Sequence, residues 1–293
     1  MDGHEVVHKR FYILSALVIG SAALIAQWLP QGFSQTSALS RLQNGGRFVV
    51  GYALEPPFVF IDAEGRVSGQ APAVFRHIAA EIGPARLQWV HADFGSLIHE
   101  LEAGRIDAIA AGMFVTPERA QRVLFSRPTA QVCPALLVRR NEAGVSLRLQ
   151  DFLSSPALRL GVIAGAVERQ LAGQAGLPAS QVIDFPDTTS AMDALMMGRI
   201  DAFMLSVVSL RDTLARVSHD SSMLEVVEPG ATVALPAGLP AFVFRRQDHK
   251  LRDAVDRRLG RFLGSPIHLE MVAPFGFTPA EMPGQNDVPE CGP

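Results

Sequence analysis

A capped helix start that carries an arginine is the clearest chemical signal in this sequence. Thr116, Pro117 and Glu118 follow an apolar run and supply a capping hydroxyl, a proline suited to the first helical position and an acid in the first turn. Arg119 follows in the same turn. Because free N–H groups at a helix start and a guanidinium both bind carboxylates, this segment predicts a site for an anionic group.

A five-residue sequence that occurs twice indicates a duplicated architecture. Gly-Arg-Ile-Asp-Ala spans residues 104–108 and residues 198–202, each time after a helix-like stretch and before an apolar run. Aligning the copies also matches Asp93 with Asp187, so the likeness extends over a helix–turn–strand unit. The sequence therefore predicts two similar α/β lobes, and a cleft between two such lobes is a usual place for a small molecule.

The alternation of strand and helix patterns divides the chain into segments. We predict a signal peptide or membrane anchor over residues 1–30, a tether over 31–46, lobe one over 47–138 and 239–283, lobe two over 139–238, and a tail over 284–293. The late strand and helix that follow residue 240 have no lobe of their own, so we expect them to return to lobe one. Two crossover strands, near Leu136 and Phe242, would then act as the hinge.

The N-terminal segment has the pattern of an export signal or a membrane anchor. Two basic residues precede an apolar stretch from Phe11 to Leu29, which Pro30 closes. Small residues at 21–23 suit cleavage, whereas the apolar length approaches the roughly 20 residues that span a bilayer, so the cleaved and tethered forms both stay open. Positive charge before the apolar stretch predicts a periplasmic or extracytoplasmic protein, secreted or tethered by this segment.

Composition excludes several classes of function. The net charge is −3 and the pI is near 6.2, so the chain has no basic field for nucleic acid. The eight histidines show no paired-ligand spacing, and no phosphate-binding glycine loop, dinucleotide fingerprint or G-x-S-x-G motif occurs. We therefore predict no metal, no cofactor and no enzymatic activity.

The two cysteines give no sign of a disulfide framework. Cys133 lies in an apolar strand and Cys291 in a tail rich in proline and glycine. We predict that both thiols are free, and we expect the chain to be a monomer.

Four motifs in register give the chain a family resemblance. They are LEPPF at residues 54–58, DFGSL at 93–97, AAGMFVTPER at 110–119 and VAPFGFT at 272–278. With these motifs the chain resembles the extracellular solute-binding proteins, family 3, of ABC importers for polar amino acids, and within them the ectoine/hydroxyectoine-binding branch. The resemblance implies a two-lobed α/β periplasmic-binding-protein fold of type II, which closes like a Venus flytrap. It also implies delivery of a small zwitterionic solute to an ABC permease in the cytoplasmic membrane.

The chemistry of ectoine allows a role to be assigned to each residue that the resemblance implies. Ectoine carries a carboxylate and a cyclic amidinium, so its site needs a cation, an acceptor for N–H groups and aromatic faces. Arg119 would bind the carboxylate through paired hydrogen bonds, and Glu55 would accept from the amidinium. Three phenylalanines would form a cation–π cage, and backbone N–H groups of lobe two would complete the site. The implied ligand-binding residues are Glu55, Phe58, Phe94, Phe114, Arg119, Gly165, Ala166 and Val167.

Three positions depart from the patterns of the resembling proteins. Phe94 stands where the branch commonly has tyrosine, which keeps the ring face and removes a hydroxyl. Ala166 stands where a threonine that meets the ligand carboxylate is expected. Ser206 stands where many amino-acid binders carry an acid, and a buried α-ammonium without an acid is costly, which argues against ordinary α-amino acids.

Three alternatives stay open at this stage. The chain could bind a polar amino acid or a related carboxylated solute instead of ectoine. It could also be an enzyme on the same scaffold, similar to cyclohexadienyl dehydratases, with Glu55 as the general acid. A tethered sensory protein that acts through a separate partner is the third.

Overall fold

The computed structural model describes residues 37–140, 146–216, 221–227, 235–284 and 290–291. The predicted signal or anchor over residues 1–30 lies outside these ranges, as do residues 31–36 of the predicted tether. No helix within the described ranges is both long enough and apolar enough to cross a membrane.

Short strands and helices alternate along the chain. The first part contains α1 (Ala38–Gln43), β1 (Arg47–Tyr52), β2 (Phe60–Ile61), β3 (Val67–Ser68), α2 (Gln70–Ile82), β4 (Arg86–His91), α3 (Leu97–Glu102), β5 (Ala108–Ile109), α4 (Pro117–Ala120) and β6 (Val123–Phe125). The middle part contains β7 (Pro134–Arg139), α5 (Leu149–Ser154), β8 (Leu160–Ile163), α6 (Glu168–Gln174), β9 (Val182–Phe185), α7 (Thr188–Met196), β10 (Ala202–Ser206), α8 (Val207–Arg216) and β11 (Leu224–Val227). The last part contains β12 (Leu235–Pro236), β13 (Val243–Arg245), α9 (His249–Phe262), α10 (Pro266–Val272) and β14 (Glu290–Cys291).

Two five-stranded sheets with the same topology form the centres of two lobes. The strand order of the sheet in lobe one is β4-β1-β5-β13-β6. The strand order of the sheet in lobe two, read from the β9 edge, is β9-β8-β10-β7-β11. In lobe one, β1 pairs in parallel with β4 and β5, and β13 pairs antiparallel with β5 and β6. In lobe two, β8 pairs in parallel with β9 and β10, and β7 pairs antiparallel with β10 and β11. The expected return of β13 to lobe one is thus confirmed.

The duplicated Gly-Arg-Ile-Asp-Ala sequence has a structural role in both lobes. The Asp107 carboxylate accepts from the backbone N–H of Val49 at 3.0 Å, and the Asp201 carboxylate accepts from the N–H of Arg159 at 2.8 Å. Each aspartate therefore joins the start of its own strand to the neighbouring parallel strand. Carboxylates with such bonds stabilise the sheets, so the repeat marks the fold and not the site.

An arginine on the antiparallel neighbour strand completes each of these arrangements. Arg245 of β13 pairs with Asp107 at 3.1 Å, and Arg139 of β7 pairs with Asp201 at 3.5 Å. Since β13 and β7 occupy equivalent places, the two lobes share this ion pair as well as their strand order.

The chain crosses between the lobes in two segments that lie side by side. These crossing segments are residues 126–133 and residues 237–242, and Val132 bridges Gly238 with N···O distances of 3.0 and 2.7 Å. The hinge predicted near Leu136 lies too late in the sequence, because β7 pairs along its whole length with β10 of lobe two. Five consecutive buried residues at 134–138 suit a central strand, so the lobe boundary predicted after residue 138 falls inside a sheet.

Part of the predicted tether belongs to the folded body. Residues 38–43 form α1, whose Ala38 and Leu42 are buried in the core of lobe one. Arg41 forms an ion pair with Asp107. The tether prediction for residues 38–46 is therefore wrong, because one short amphipathic turn among polar residues was taken as a linker.

The two cysteines form a disulfide, so the prediction of free thiols is wrong. Cys133 at the end of the first crossing segment is bonded to Cys291, with 5.5 Å between the Cα atoms. Strand β14 pairs antiparallel with β12, which places Cys291 beside the second crossing segment. The predicted tail therefore includes a strand that returns to the junction of the lobes, a contact over 158 residues that spacing alone does not reveal.

Candidate functional site

Arg119 lies where the two lobes meet, at the helix start that the sequence indicates. The Thr116 hydroxyl caps α4 by accepting from the backbone N–H of Arg119 at 3.2 Å, and Pro117 occupies the first helical position. The Arg119 guanidinium donates to the carbonyl oxygen of Phe114 at 2.8 Å. It also donates across the junction to the carbonyl oxygen of Gly165 in lobe two, again at 2.8 Å. Arg119 thus forms hydrogen bonds with both lobes.

Arg119 has no direct ion-pair partner in the part of the chain that the structure describes. No carboxylate oxygen in those ranges lies within 4.0 Å of its guanidinium nitrogens. Its guanidinium carbon lies 5.7 Å from the centre of the Phe94 ring, within the range of a cation–π contact. Burial lowers the pKa of Arg119, whereas the charges of Glu168 and Glu55 act in the opposite direction. The group is therefore a partly desolvated cation with hydrogen-bonding capacity for a carboxylate.

Glu55 reaches the same junction from the loop after β1. Only 9% of its surface is exposed, and its carboxyl accepts a hydrogen bond from the Ser209 hydroxyl of lobe two at 3.1 Å. Ser206 in turn donates from its hydroxyl to that of Ser209 at 2.9 Å. Burial, helped by the charge of Glu168, raises the pKa of Glu55 to about 8. Ser206, which stands where many amino-acid binders carry an acid, is thus linked to the Glu55 carboxyl through Ser209.

The three predicted cage residues lie at different depths. Phe94 and Phe114 are 8% and 7% exposed, whereas Phe58 has no exposed surface. The Phe58 ring packs edge-to-face on Phe114, with ring centres 6.4 Å apart, and on Phe277 at 5.3 Å. Phe58 thus supports the Phe114 ring from the core of lobe one. Gly238 of the second crossing segment leaves room for that ring, since an added Cβ would lie 2.2 Å from it.

The loop after β8 brings lobe two against lobe one. Gly165 has a φ of 78°, and a Cβ added there would lie 2.5 Å from the Cα atom of Gly95 in lobe one. The backbone N–H of Ala166 is bonded to the carbonyl of Ile163 at 3.0 Å. Ala166 was predicted to offer this N–H to a ligand, and in this structure the turn that reverses the chain uses it. The ligand-binding roles of Gly165, Ala166 and Val167 stay predictions.

Two cavities lie along the junction, and four of the predicted residues line one or the other. The larger has a volume of about 740 Å³, and Glu55 and Phe94 line it. The smaller has a volume of about 220 Å³, and Phe114 and Val167 line it. Arg119 contacts Phe94 and Phe114 and so connects the two groups. The acidic side chains around the larger cavity are Glu55, Asp93, Asp187, Asp193 and Asp212.

The analysis of the sequence missed one residue at this junction. Glu168 is the first residue of α6, and only 2% of its surface is exposed. Burial raises its pKa to about 7, while a hydrogen bond from its own backbone N–H and the charge of Arg119 act against the rise. The sequence signal for Glu168 was an acidic residue at the first position of a helix that follows a buried strand. Acids at such positions are usually exposed, so this signal does not indicate burial.

No cluster of three or more His, Cys, Asp or Glu side chains that could hold a metal ion occurs among the residues that the structure describes.

Comparison with protein families identifies the class to which this two-lobed arrangement belongs. The family model for bacterial extracellular solute-binding proteins, family 3, matches residues 48–265, a range that includes both sheets and both crossing segments. The chain belongs to this family. The two-lobed α/β periplasmic-binding-protein fold expected from the sequence is confirmed.

Relatives of this family 3 protein are named as binding components of transporters. A probable amino-acid ABC transporter periplasmic-binding protein of Sinorhizobium fredii is 25% identical over 274 residues, 92% of this chain and 89% of that protein. An L-arginine-binding protein of Pseudomonas aeruginosa is 28% identical over 161 residues, 55% of this chain and 60% of that protein. The protein is therefore the periplasmic solute-binding component of an amino-acid-type ABC transporter.

Solved structures extend the comparison. The crystal structure of EhuB in complex with hydroxyectoine has 34% sequence identity and a TM-score of 0.74, and the match covers 82% of this chain and 92% of that chain. The ancestral amino-acid-binding protein AncCDT-1, a precursor of cyclohexadienyl dehydratase, has 23% identity and a TM-score of 0.68, over 78% of this chain and 95% of that chain. The similarity to AncCDT-1 shows the fold alone.

Proposed function

We propose that this solute-binding protein captures ectoine or hydroxyectoine between its lobes and delivers it to an ABC permease. Such a solute carries one carboxylate and one delocalised cation. The site offers a guanidinium, buried carboxyls and aromatic faces at one junction, so its chemistry matches both charges of the solute.

The state of Arg119 is the observation that carries the proposal. A guanidinium without a carboxylate partner within 4.0 Å, among the described residues, is costly at a closing junction unless a ligand supplies the anion. Arg119 donates instead to two carbonyl oxygens, one from each lobe. A ligand carboxylate would replace the neutral acceptor of lobe two with a charged one, and hydrogen bonds to charged acceptors are stronger.

The other groups of the site suit the cationic ring. Glu55 would accept from the amidinium N–H groups, and a positive ring beside it lowers the pKa of that carboxyl and favours its ionised form. Phe94 and Phe114 would offer ring faces, each contact contributing roughly 0.5 to 2 kcal/mol. In support, the 34% identical EhuB was crystallised in complex with hydroxyectoine.

Thermal unfolding against a panel of solutes tests the proposal. A ligand that binds the folded state alone raises the unfolding midpoint, and more strongly as its concentration exceeds the dissociation constant. We expect ectoine and hydroxyectoine to raise the midpoint, and glycine betaine and proline to leave it unchanged. A panel in which ectoine has no effect while another carboxylated solute shifts the midpoint would refute ectoine as the ligand.

A basic amino acid is the second candidate, because the larger cavity favours it. The larger cavity has a volume of about 740 Å³, which is more than the volume of a small ring, and five acidic side chains line it. Such a cavity would suit a ligand with a longer cationic side chain. The L-arginine-binding relative of Pseudomonas aeruginosa is in keeping with this alternative. Adding L-arginine and L-lysine to the panel distinguishes the two candidates directly.

The dehydratase alternative depends on Glu55 as a proton donor. A pKa near 8 keeps this carboxyl protonated at neutral pH, as a general acid requires. The absence of turnover of a cyclohexadienyl acid by the purified protein would exclude this activity, whereas turnover that Glu55→Gln abolishes would establish it.

A further inference from the structure

Two serine hydroxyls of lobe two connect to the Glu55 carboxyl of lobe one. Ser209 donates to the Oε1 atom of Glu55 at 3.1 Å, and Ser206 donates to the Ser209 hydroxyl at 2.9 Å. Both serines have no exposed surface. Among the described residues, Ser209 is the only side chain that donates a hydrogen bond to this carboxyl. The contact therefore calls for a role beyond the packing of two small side chains.

The start of α8 fixes the position of both hydroxyls. Ser206 directly precedes this helix, and its hydroxyl accepts from the backbone N–H of Ser209 at 3.2 Å, which is the bond of a helix N-cap. The N–H of Val207 donates at 2.8 Å to the carbonyl oxygen of Cys133, at the end of the first crossing segment. Ser209 thus lies in the first turn of a helix that is bonded to the junction of the lobes.

A short loop of lobe one fixes Glu55 from the other side. The backbones of Glu55 and Val59 exchange two hydrogen bonds of 3.0 Å, which close a loop around Pro56 and Pro57. Glu55 also lines the cavity of about 740 Å³. An ionised carboxylate has about four lone-pair positions, so one bond from Ser209 leaves acceptor capacity for a ligand in that cavity.

The direction of the hydroxyl bonds favours a negative charge on Glu55. Both hydroxyls donate toward the carboxyl, and hydrogen bonds to an ionised acceptor are stronger than those to a neutral one. The first turn of a helix also favours an anion beside it, because of the helix dipole. Burial, helped by the charge of Glu168, raises the pKa of Glu55 to about 8, while the hydrogen bond from Ser209 and the charge of Arg119 act against this rise. Ser209 thus favours the ionised form, which a ligand cation needs.

We propose that Ser209 is a positioning residue for ligand binding: its hydroxyl, supported by Ser206, holds the Glu55 carboxylate as the acceptor for the cationic group of the ligand. This proposal rests on the proposed function and extends it. Ser209 lines neither of the two junction cavities, so it acts through Glu55 and not by contact with the solute. Lobe two thereby takes part in the selection of a cation through a neutral hydroxyl.

A competing explanation predicts the opposite effect of substitution. The Ser209 hydroxyl could occupy the Glu55 carboxyl and compete with the ligand cation, and its removal would then strengthen binding. If the bond only satisfies a buried hydroxyl, its removal would leave the affinity unchanged. If Ser209 positions Glu55, its removal weakens binding.

Calorimetric titration of ectoine onto the full-length Ser209→Thr and Ser209→Val variants separates these explanations. Threonine and valine have nearly the same shape, and threonine alone keeps a hydroxyl, so the effect of the added methyl group cancels in the comparison. At about pH 7, we expect Ser209→Val to bind ectoine at least about tenfold more weakly than Ser209→Thr, because a hydrogen bond to a charged group is lost. Ser209→Ala removes the hydroxyl without added bulk, and we expect a similar loss relative to the wild type. Unfolding midpoints show whether each variant is folded.

The pH dependence of affinity provides a readout that a packing role would not change. The ligand cation favours the ionised carboxylate, so affinity should rise as the pH passes the pKa of Glu55. Loss of the Ser209 hydrogen bond leaves this pKa higher, so the rise should occur at higher pH in Ser209→Val than in Ser209→Thr. The difference in affinity between the two variants should therefore be larger at about pH 6 than at about pH 9.

Other ionisable groups near Glu55 are common to both variants. Arg119 of α4 and Glu168 of α6 act on it by charge. The larger cavity adds ionisable side chains from both lobes, namely His91, Asp93, Asp187, Asp193 and Asp212, which is paired with Arg216. Since both variants keep all of these groups, a difference between their pH profiles comes from residue 209.

Ser206→Ala separates helix capping from the positioning of Glu55. This variant removes the N-cap of α8 and leaves the Ser209 hydroxyl beside the carboxyl. We expect a lower unfolding midpoint, because the cap is lost, and a smaller loss of affinity than in Ser209→Ala. A loss of affinity as large as that of Ser209→Ala would show that the start of α8, and not the Ser209 hydroxyl, is what binding requires, and would overturn the proposal.

The titrations have four outcomes. Weaker binding by Ser209→Val, with its pH profile moved to higher pH, supports the proposal. Binding by Ser209→Val that equals or exceeds that of Ser209→Thr overturns it and leaves the proposed function intact. If the wild type binds L-arginine and not ectoine, the proposed solute is wrong, and the same comparison with L-arginine as the probe tests Ser209. If the wild type binds neither, both the proposed function and the role of Ser209 are refuted.

Discussion

At the scale of residues, the ionisable side chains of the site form hydrogen bonds with neutral groups. Arg119 donates to backbone carbonyls, Glu55 accepts from a serine hydroxyl, and Glu168 accepts from its own N–H. Neutral partners satisfy hydrogen bonds without cancelling charge. The free protein therefore retains the positive charge of Arg119 at the junction, and the cationic group of a zwitterion would favour the ionised forms of the buried carboxyls.

Replacing Arg119 with alanine should remove ligand binding with little loss of fold. Losing one member of a buried charge pair costs about 2 to 5 kcal/mol of binding free energy, because the ligand carboxylate is then buried without a cation. Arg122→Ala is the control, since Arg122 pairs with Glu102 at 2.6 Å on the surface. Calorimetric titration of both variants measures the effect, and normal ectoine binding by Arg119→Ala would show that the carboxylate binds elsewhere.

The buried carboxyls should make the stability of the ligand-free protein decrease with pH. Their pKa values, about 8 for Glu55 and about 7 for Glu168, lie above the usual 4.5, so the folded protein holds protons that the unfolded chain releases. This stabilisation is complete below about pH 4.5 and is lost as the pH rises through 7 and 8. The midpoint of thermal unfolding should fall between about pH 5 and pH 9, and less steeply for the Glu55→Gln/Glu168→Gln double variant. Equal slopes would show that neither carboxyl has a raised pKa.

At the scale of elements, closure depends on two glycines and on two crossing segments. Gly165 in the loop after β8 of lobe two and Gly95 in the loop after β4 of lobe one face each other. The absence of side chains there allows the backbones to approach until Arg119 reaches the Gly165 carbonyl at 2.8 Å. The crossing segments set the path along which the lobes come together.

A methyl group at residue 165 should keep the lobes apart. In Gly165→Ala the new Cβ would lie 2.5 Å from the Gly95 Cα atom, and φ would stay at 78°, which is strained for alanine. We expect ectoine binding to weaken by about 1 to 3 kcal/mol. Gly173→Ala in α6 is the control, because nothing lies within 4 Å of its added methyl group. Unchanged affinity in Gly165→Ala would mean that ligand binding does not need this contact.

The Cys133–Cys291 disulfide should stabilise the junction through the chain that it closes. The bond joins residues 158 positions apart and links the returning β14 to the first crossing segment. The Cys133→Ser/Cys291→Ser double variant should lose about 2 to 5 kcal/mol in the free energy of unfolding. Urea unfolding measures this loss, and adding a reductant should destabilise the wild type but not the variant. If the reductant affects neither protein, the disulfide is absent in solution.

At the scale of the whole molecule, much of the fold could be predicted and the contacts between distant segments could not. The duplicated Gly-Arg-Ile-Asp-Ala sequence and the strand–helix alternation predict two like lobes, and the shared sheet topology confirms them. The capped start of α4 and its arginine also lie at the junction, as their local pattern indicates. Local periodicity carries such information, because neighbours in sequence determine it.

The remaining features depend on contacts between segments far apart in sequence. Three such features are the disulfide, the packing of α1 in the core and the burial of Glu168. Each depends on contacts with residues that are distant in sequence, which a local sequence pattern does not reveal. The assignment of Leu136 to the hinge failed for the same reason, since only the pairing of β7 with β10 shows where the crossing ends. The predicted roles of the site residues remain proposals that binding data must test.

The most direct test of the central claim is calorimetric titration of the wild-type protein with ectoine and, separately, with L-arginine and glycine betaine. The account predicts one ectoine per chain, bound at least about tenfold more tightly than either of the others, because only ectoine combines a carboxylate with a compact delocalised cation. Tight binding of L-arginine with no heat from ectoine would contradict the account and assign the acidic cavity of about 740 Å³ to a basic amino acid.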